Sequence, residues 1–486
     1  MSRAAAAARV AGEAAPLQAL ALGAIVALAA GLRFAGLDTQ SLWLDEAFTR
    51  ILVREGLGEM FVHLPDSEST PPLYYAIAWL WAQVFGSGEA GLRSLSALLG
   101  TVTVPVAYLI GRELASRAAG LVLALLTATS PFLVWYSQEA RAYALAILLV
   151  AVSLLLTARA ARDPRRMPLS AWAMTAAAAL LTHYFAVFAI VAEIVWLHRA
   201  GLRRKLAFAV LPVVAVGFGL LPLALDQRDN GGAQVGEASI ASRLGEVPRK
   251  FLVAEFGGPV RGLAPLAAVL VAAALAVAAA RAGADVRRRA LASIGVGAGA
   301  LLGAIAAAAA GFDFLTPRHL AVAWIPLFAG VAVAFAATRA TLAAGLVLAA
   351  VFVVVSIAVP LTPRLQRDDW RGAAASLGES HPERAIVVAP DVGFVPLDSY
   401  RPRVTAPPGS SFAVRELDVV AMIRDGRDPP RVSPLPGFRL LTSERDATYV
   451  TARFVSDRTR IVAGEDLTAI RLTPALTGFV YEPASP

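Results

Sequence analysis

The sequence has no cysteine and few charged residues. None of its 486 residues is Cys, and only 16% are Asp, Glu, Lys or Arg. Without Cys there are no disulfides, thiolate metal sites or cysteine nucleophiles. A soluble globular protein carries about 25% charged residues. The low charge, together with 57% apolar residues, excludes a cytosolic enzyme, a disordered chain and a nucleic-acid-binding protein, and it predicts a polytopic membrane protein.

The charge that is present is basic. Lys and Arg number 44 against 36 Asp and Glu, which gives a net charge of +8. Basic residues of membrane proteins concentrate in cytoplasmic loops. The positive charge is therefore an indicator of membrane orientation and does not point to a nucleic-acid partner.

Apolar runs are frequent enough to predict about 11 transmembrane helices, because a helix needs roughly 20 apolar residues to cross the bilayer core. The first run is read as an uncleaved anchor. The two runs within 168–198 are each short, so one long helix is the alternative there. We predict spans near residues 17–36, 92–111, 118–136, 140–158, 168–184, 185–198, 205–225, 261–280, 289–311, 318–338 and 340–360.

Arginine runs beside the spans predict the orientation, since Arg and Lys favour the cytoplasmic side. This rule predicts a cytoplasmic N-terminus and outer loops at 37–91, 137–139, 226–260 and 311–317, with the tail after 360 also outside. The marking residues are Arg3, Arg9, Arg112, Arg117, Arg159, Arg162, Arg165, Arg166, Arg199, Arg203, Arg204, Lys205, Arg281, Arg287, Arg288 and Arg289.

A short apolar stretch in the first outer loop does not fit this alternation as a span. Pro71–Phe85 reads PPLYYAIAWLWAQVF, and a full crossing would reverse the orientation of every later loop. We therefore predict an interfacial or re-entrant helix, whose Trp and Tyr side chains suit the headgroup region.

The composition changes near residue 364. Residues 364–486 are rich in Pro, Arg and Asp, with β-like runs such as Ala385–Ala389 after a helix-like stretch at Asp368–Leu377. We predict a transmembrane domain at 1–363, with its first outer loop at 37–91, and a small C-terminal α/β extracytoplasmic domain at 364–486. About 120 residues are enough to bury an independent core.

Two adjacent acids open the first outer loop. Asp45 and Glu46 lie in the apolar stretch S41-L-W-L-D-E-A47. Carboxylates that repel each other and lose solvation have a raised pKa, which suits a general base. The alternative is a solvated helix start with two acids near its N-terminus.

Three further positions in this loop are candidates for acceptor or loop roles. His63 alone favours the interpretation as a surface histidine, with a catalytic histidine as the alternative. Tyr74 and Tyr75 follow a Pro-Pro step, which imposes an extended entry into the next helix.

A polar cluster lies between two apolar spans on the predicted outer side. The stretch W135-Y-S-Q-E-A-R-A-Y143 contains Glu139, Arg141 and Tyr143. A planar, permanently charged guanidinium suits a phosphate. The alternatives are an internal pair between Glu139 and Arg141 or anchoring of the span end in the headgroups.

Two more polar groups interrupt apolar runs on the same side. His183 and Tyr184 lie in T182-H-Y-F185; a His at membrane depth usually faces the protein interior or a wet cavity, where it either donates to a phosphate or bonds to backbone. Arg318 and His319 provide a second basic group, with ordinary interfacial anchoring as the alternative.

Five motif blocks together resemble bacterial members of the GT-C glycosyltransferase superfamily. More narrowly, they are similar to the group of protein O-mannosyltransferases and lipid A aminoarabinose transferases (glycosyltransferase family 39-like). The resemblance covers most of the chain and is strongest over residues 20–200. The blocks are S-L-W-L-D-E-A at 41–47, P-P-L-Y-Y at 71–75, Y-S-Q-E-A-R-A-Y at 136–143, T-H-Y-F at 182–185 and D-D-W-R-G-A-A at 368–374.

The resemblance implies a GT-C fold with interfacial helices in the first outer loop, and a donor sugar carried on a polyprenyl phosphate. Asp45 matches the acidic residue that acts as base, and Glu46 matches its acidic neighbour. Arg141 falls where the second outer loop approaches the lipid phosphate. The T-H-Y-F block and Arg318 have looser counterparts.

The function expected from this resemblance is an inverting membrane glycosyltransferase of the bacterial inner membrane. It would move a sugar to an envelope glycan, lipid or protein on the outer face. No cofactor is expected; a divalent cation at Asp45 and Glu46 is not favoured, because hard cations want six or more oxygens. A transporter or lipid flippase, with intramembrane charges lining a pathway, is the alternative, and a non-catalytic scaffold is the third interpretation.

Overall fold

The structure is a computed structural model, and its backbone is described for most of the chain. The predicted cytoplasmic markers Arg165 and Arg166 lie outside the described residues, as do the side chains of residues 3–15 and 229. The described ranges are 3–164, 169–230, 239–253, 259–260, 262–379, 382–401, 410–423, 428–473 and 476–482.

The chain divides into two compact units. Unit 1 combines Met1–Leu37 with Leu52–Val359, and unit 2 combines Asp38–Ile51 with Pro360–Pro486. The domain division predicted at residue 363 assigned residues 38–51 to the transmembrane domain. In the structure this short segment belongs to the compact unit of the C-terminal residues.

The first seventeen α-helices contain the apolar runs of the sequence. They are α1 (Arg3–Phe34), α2 (Leu44–Arg54), α3 (Leu57–Ser67), α4 (Leu73–Phe85), α5 (Glu89–Leu114), α6 (Arg117–Thr129), α7 (Pro131–Ser137), α8 (Tyr143–Arg162), α9 (Leu169–Leu180), α10 (Ala186–Arg199), α11 (Arg203–Gly219), α12 (Leu221–Asp226), α13 (Ile240–Val253), α14 (Leu263–Arg281), α15 (Ala284–Ala309), α16 (Trp324–Phe335) and α17 (Arg339–Leu361).

Among the described residues, 7 helices are long and apolar enough to cross a membrane, or up to 8 if the bent pair α6–α7 counts as one. This confirms a multi-pass helical protein, but not the predicted number of about 11 spans. The predicted spans at 168–184, 185–198 and 318–338 correspond to the shorter helices α9, α10 and α16. Residues 168–198 thus form two helices with a turn between them.

A buried arginine stabilises the bend between α6 and α7, which measures 57°. Pro131 has no N–H, so it leaves the carbonyl of Thr127 without its helical partner. Arg33 replaces that partner: its Nη2 donates to the carbonyl of Thr127 at 2.8 Å, and its Nη1 donates to that of Ala128 at 2.8 Å. Arg33 is 0% exposed, and these bonds compensate the cost of burying its charge.

Two glycines bring α5 and α6 close together. A Cβ at Gly111 would lie 2.6 Å from the carbonyl of Ala119, and one at Gly120 would lie 2.6 Å from that of Tyr108. Small residues at such crossings let helix backbones approach in membrane proteins. The α5–α6 pair places the α6–α7 bend, and therefore the turn that follows α7, against the rest of unit 1.

Unit 2 contains a five-stranded mixed sheet in the order β3-β4-β2-β1-β5. β1 and β2 pair in parallel, whereas the other neighbours are antiparallel. The elements are α18 (Trp370–Ser376), β1 (Arg384–Ala389), α19 (Phe394–Tyr400), β2 (Ser411–Met422), β3 (Arg439–Arg445), β4 (Tyr449–Ala463), α20 (Gly464–Thr468) and β5 (Gly478–Glu482).

Both faces of strand β1, which lies between β2 and β5, are buried. Val387 packs with Leu417 and Phe454 on one face, while Val388 packs with Trp370 on the other. A strand covered on both sides is a continuous apolar run, as the A-I-V-V-A sequence predicted. The predicted β-run and the predicted helix before it are therefore confirmed, as is the small α/β unit that they indicated.

Candidate functional site

The turn between α7 and α8 carries two buried charges. Glu139 is 1% and Arg141 is 4% exposed, so neither side chain extends to solvent. Arg141 Nη1 donates to Glu68 Oε1 at 2.6 Å, and Glu68 is also buried. The sequence predicted an internal pair with Glu139 as an alternative for Arg141; the ion pair seen here joins it to Glu68 of the first outer loop.

Tyr75 forms one wall of the Arg141 site. The guanidinium carbon of Arg141 lies 5.8 Å from the Tyr75 ring centroid, within the range of a cation–π contact. The hydroxyls of Tyr75 and Thr70 are 2.9 Å apart. The contact between Tyr75 and Arg141 orients the start of α4 against the charged turn. Tyr75 thus touches the residue that the sequence predicted to bind a phosphate.

His183 lies in the turn between α9 and α10 and is 2% exposed. The backbone N–H of Phe185 donates to its Nδ1 at 3.2 Å. Since Nδ1 is the acceptor, the ring proton must be on Nε2. Nε2 is buried and has no hydrogen-bond partner among the described residues. His183 thus holds a buried N–H donor available to a ligand.

His319 lies in the turn before α16, with its ring close to the ring of His183. Its Nδ1 is 2.5 Å from the carbonyl of Phe314, which fixes Nδ1 as the donor and leaves Nε2 as the free lone pair of a neutral ring. The His183 and His319 rings are 5.5 Å apart, and Tyr143 lies 5.8 Å and 6.4 Å from them.

The charges of Arg141 and Arg318 both act on the two histidines. Two guanidinium groups, two imidazole rings and a phenol therefore converge from three separate turns of unit 1. The guanidinium groups and the Nε2–H of His183 are donors, and an anionic group is the ligand that they would stabilise. The Nε2 lone pair of His319 is an acceptor and does not take part in this. All seven lipid-phosphate candidates from the sequence thus lie in these three turns or at their edges, and only the Tyr184 side chain is bound elsewhere among the described residues.

Tyr184 is adjacent to this group but turns away from it. Its hydroxyl donates to Gln227 Oε1 at 2.8 Å, and Gln227 Nε2 donates to the carbonyls of Leu64 and Thr70 at 3.3 Å and 3.4 Å. Tyr184 therefore ties the α9–α10 turn to the first outer loop, which is a positioning contact.

Asp45 and Glu46 lie in unit 2, in the first turn of α2. Acidic side chains are stabilised there by the helix dipole. Asp45 is half-buried and Glu46 is 0% exposed. The backbone N–H of Trp43 lies 3.5 Å from Glu46 Oε2, at the outer limit of a hydrogen bond. The two acids thus lie at a helix start, as one alternative from the sequence had it, but this start is not solvated, because Glu46 is fully buried and Asp45 half-buried.

The segment that precedes α2 is bound to the D-D-W-R stretch of the same unit. Ser41 Oγ donates to the carbonyl of Asp368 at 2.8 Å and accepts from the N–H of Trp370 at 3.0 Å. The N–H of Arg367 donates to Gln40 Oε1 at 2.9 Å. These contacts hold the first turn of α2, and with it Asp45.

We call the set of Arg141, Arg318, His183, His319 and Tyr143 the cation group. The remaining loop candidates lie outside it. His63 is on the exposed face of α3, where its Nδ1 is 2.8 Å from Glu55 Oε2; this hydrogen bond raises the pKa of His63 above its usual value. Tyr74 is 0% exposed and packs in the apolar core of the loop, with its hydroxyl 3.4 Å from Ser96 Oγ. Both roles remain predictions.

Sequence reasoning missed Glu68 and Gln227. The signal for Glu68 was an acid three positions before the Pro-Pro step, in a loop on the same predicted side as Arg141. Gln227 carried no comparable signal, because a single polar residue directly after an apolar helix is ordinary at the end of a membrane span.

Among the described residues, no three His, Asp or Glu side chains are placed to hold a metal ion together. The expectation that no divalent cation is needed is not decided by this geometry. It remains a prediction.

Comparisons with known proteins agree with the motif blocks. The family model described as dolichyl-phosphate-mannose-protein mannosyltransferase matches residues 69–225, about a third of the chain. The match contains the Pro-Pro, Y-S-Q-E-A-R and T-H-Y-F blocks. A comparison with curated proteins gives no match.

Solved structures also resemble the chain. The Archaeoglobus fulgidus oligosaccharyltransferase in its apo form is 14% identical, with a TM-score of 0.46 over 75% of this chain and 58% of that chain. ArnT from Cupriavidus metallidurans in the apo state is 14% identical, with a TM-score of 0.43 over 88% of this chain and 97% of its own. The arabinosyltransferase EmbB from Mycobacterium smegmatis is 17% identical, with a TM-score of 0.38 over 74% and 32%.

The chain thus spans just over half the length of the archaeal oligosaccharyltransferase and nearly all of ArnT. The assignment itself depends on the family model and on the motif blocks that it contains. Together they support the resemblance to the GT-C superfamily of membrane glycosyltransferases that the sequence motifs predicted.

Proposed function

We propose that the protein transfers a sugar from a polyprenyl-phosphate donor to a hydroxyl or amine on the outer face of the bacterial inner membrane. For a hydroxyl acceptor, Asp45 takes the O–H proton as the oxygen bonds to the anomeric carbon. The bond from that carbon to the phosphate oxygen breaks, and its electron pair leaves with the polyprenyl phosphate. Direct displacement inverts the anomeric centre.

The observation that supports this function is the convergence of Arg141, Arg318 and His183 in unit 1. Negative charge grows on the leaving phosphate during transfer, and donors prearranged in a water-poor site stabilise it strongly. The two guanidinium groups supply charge, while His183 Nε2–H supplies a neutral donor. A phosphate leaving group needs no general acid, so one carboxylate base is sufficient.

Glu68 fixes the orientation of Arg141 within the cation group. In the structure Arg141 is paired with Glu68 at 2.6 Å, so the guanidinium is already oriented before the donor binds. A buried cation without a partner would be costly. We propose that Glu68 holds the Arg141 guanidinium in the orientation in which it meets the phosphate.

Asp45 and Glu46 have separate roles in this proposal. Asp45, half-buried in the first turn of α2, acts as the base, and a positioned base contributes about 10²–10⁴-fold to the rate. Glu46, fully buried beside it, orients the α2 start or binds sugar hydroxyls. The donor is a polyprenyl-phosphate-linked sugar, and the acceptor is an envelope glycan, lipid or protein.

The test uses the full chain reconstituted in vesicles with a panel of labelled polyprenyl-phosphate sugars and an envelope extract as acceptor. The wild type should release polyprenyl phosphate from at least one donor, also in the presence of EDTA. Asp45→Asn should lower the rate by at least about 10²-fold. The matched control Asp66→Asn, at an exposed position of α3, should keep the wild-type rate.

Normal turnover by Asp45→Asn would refute the base assignment, and no release from any donor by the wild type would refute the transferase function. A reporter fused after residue 360 tests the side of the membrane. A cytoplasmic signal from it would refute the outer-face placement.

A further inference from the structure

A large crevice lies at the surface of unit 1 between α8, α10 and α15. Its volume is about 1020 Å³, at the upper end of the 300–1,000 Å³ typical of small-molecule sites. Exposed apolar side chains line its length, among them Val191, Val195 and Leu291. None of the residues assigned to the proposed transfer reaction lines it.

Glycines on α15 determine the width of this crevice. A Cβ at Gly299 would meet Ala192 at 2.8 Å, and one at Gly303 would meet Phe188 at 2.3 Å, so α10 packs tightly against these two. One turn earlier, a Cβ at Gly295 would meet nothing within 4 Å. The crevice therefore widens from Gly303 toward Gly295, in the direction of the α15 N-terminus.

Arginines surround the wide end. Arg162, Arg199, Arg288 and Arg289 line it, and Asp285 is the one acid among its described lining residues. Behind the wall, Glu113 pairs with Arg162 at 3.0 Å. These arginines come from three different runs of the sequence, and all three runs carry the cytoplasmic signature of membrane proteins. The wide end of the crevice is thus strongly positive.

Some of these arginines remain available to a ligand. The Arg199 side chain is exposed and makes no hydrogen bond or ion pair within the described part of the chain. Arg288 pairs with Asp285 at 3.1 Å, but their side chains are 80% and 79% exposed. A pair so exposed is weak and easily exchanged for another anion. By contrast, Arg289 Nε donates to the carbonyl of Leu114 at 3.0 Å and is part of the wall.

The length of the crevice matches one leaflet of a bilayer. Arg289 and Gly303 are both on α15, and 14 residues at a rise of 1.5 Å separate them by roughly 21 Å. Half of a bilayer, with its headgroup region, measures roughly 20–22 Å. A molecule with its charge at the arginines and its chains along the apolar wall would therefore end near the middle of the membrane.

We propose that this basic crevice is a binding site for an anionic phospholipid of the leaflet on the arginine side. Its headgroup phosphate binds Arg199 and Arg288, and its acyl chains lie along the wall at Leu291 and Gly295. Basic pockets between membrane helices on the cytoplasmic side bind anionic headgroups by this combination. The site does not depend on the proposed sugar transfer.

The test is lipid binding to the full chain purified in detergent, measured by native mass spectrometry with phosphatidylglycerol or phosphatidylcholine of identical acyl chains. Phosphatidylglycerol should bind at least tenfold more tightly. The double variant Arg199→Gln/Arg288→Gln should lose that preference while phosphatidylcholine binding is unchanged. Gly295→Trp, which fills the open part of the crevice, should weaken both lipids.

Matched controls separate this site from general effects of charge and bulk. Arg203→Gln/Arg204→Gln removes two exposed arginines outside the crevice, and Gly217→Trp adds bulk where a Cβ meets nothing within 4 Å; both should bind as the wild type does. Equal affinity of the wild type for the two lipids would overturn the proposal. So would an undiminished preference in the double arginine variant, or undiminished binding by Gly295→Trp.

Discussion

The hydroxyl of Ser41 connects the segment before α2 to the C-terminal residues of unit 2, and its removal tests how that segment is held. Ser41→Ala deletes the donor to Asp368 and the acceptor of the Trp370 N–H. Ser41 is 2% and Trp370 is 3% exposed. Water therefore cannot readily replace the lost oxygen.

The expected cost follows from the two hydrogen bonds that the Ser41 hydroxyl makes. Each contributes about 0.5–1.5 kcal/mol, or about 1–3 kcal/mol together, while the Trp370 N–H keeps the carbonyl of Asp368 at 3.1 Å as an acceptor. The change removes one oxygen atom and creates little space, so we expect no larger packing loss. If this loss of free energy destabilises residues 38–51 locally, the equilibrium constant for their opening rises about 5- to 150-fold, because each 1.4 kcal/mol changes an equilibrium constant tenfold.

Amide hydrogen exchange of the full chain in detergent, read by mass spectrometry, measures this opening directly. Peptides that cover residues 38–51 should exchange faster in Ser41→Ala by that factor. The control is Ser376→Ala, because the Ser376 hydroxyl donates only to the carbonyl of Ala373 in its own helix at 2.8 Å. It should leave the 38–51 peptides unchanged.

Unchanged exchange of residues 38–51 and 368–370 in Ser41→Ala would show that the hydroxyl does not hold this segment. Equal acceleration by both serine variants would likewise contradict the reasoning, because only Ser41 bridges two distant parts of the chain.

Three other perturbations test the packing and electrostatics of unit 1. Gly120→Leu should lower the Tm in detergent, because its Cβ would lie 2.6 Å from the carbonyl of Tyr108 and overpacking costs about 1–3 kcal/mol. Arg33→Met should also lower it, since two carbonyls at the α6–α7 bend lose their donors at about 1–3 kcal/mol each. The hydrogen bond from Arg243 holds the pKa of Asp313 below its usual value. The stability that this pair contributes is therefore complete above the unfolded pKa near 3.9, and it is lost as the pH falls further. A pH series of Tm values should show this loss in the wild type and not in Asp313→Asn.

Each of these has a control of similar chemistry. Gly217→Leu adds the same bulk at an open helix surface, and Arg54→Met removes an exposed guanidinium; both should change the Tm little. A Tm of Gly120→Leu or Arg33→Met equal to its control would contradict the packing or bend argument. Identical pH profiles of the wild type and Asp313→Asn would contradict the assigned role of the carboxylate.

Composition and hydropathy were sufficient for the membrane class of the protein, because the cost of placing each side chain in hydrocarbon depends mainly on that side chain. Long runs such as the one forming α17 were therefore predicted correctly. At 168–198 hydropathy left two short spans and one long helix as alternatives, and the structure has two helices separated by a turn at Thr182–Phe185. Four residues change the mean hydropathy of a long window little, so the averaged value alone did not decide between them.

The sequence also identified most of the cation group, since charged residues at the ends of apolar runs are conspicuous. The orientation rule assigned Arg141, His183 and Arg318 to one side of the membrane. Neither the positions of charged residues along the sequence nor the orientation rule predicted that Glu68 would be the buried partner of Arg141. That pair joins residues 73 positions apart.

The placement of Asp45 was decided by the tertiary structure alone. Locally, S41-L-W-L-D-E-A47 is an amphipathic helix start in an outer loop, and the sequence assigned it to the transmembrane domain. In the structure Ser41, the first residue of this stretch, binds backbone groups of the D-D-W-R stretch, which lie 327 and 329 positions away. A backbone N–H or carbonyl is the same in every residue type except proline, so no side-chain pattern announces such a partner. Only the folded chain, by bringing these groups within hydrogen-bond distance, selects it.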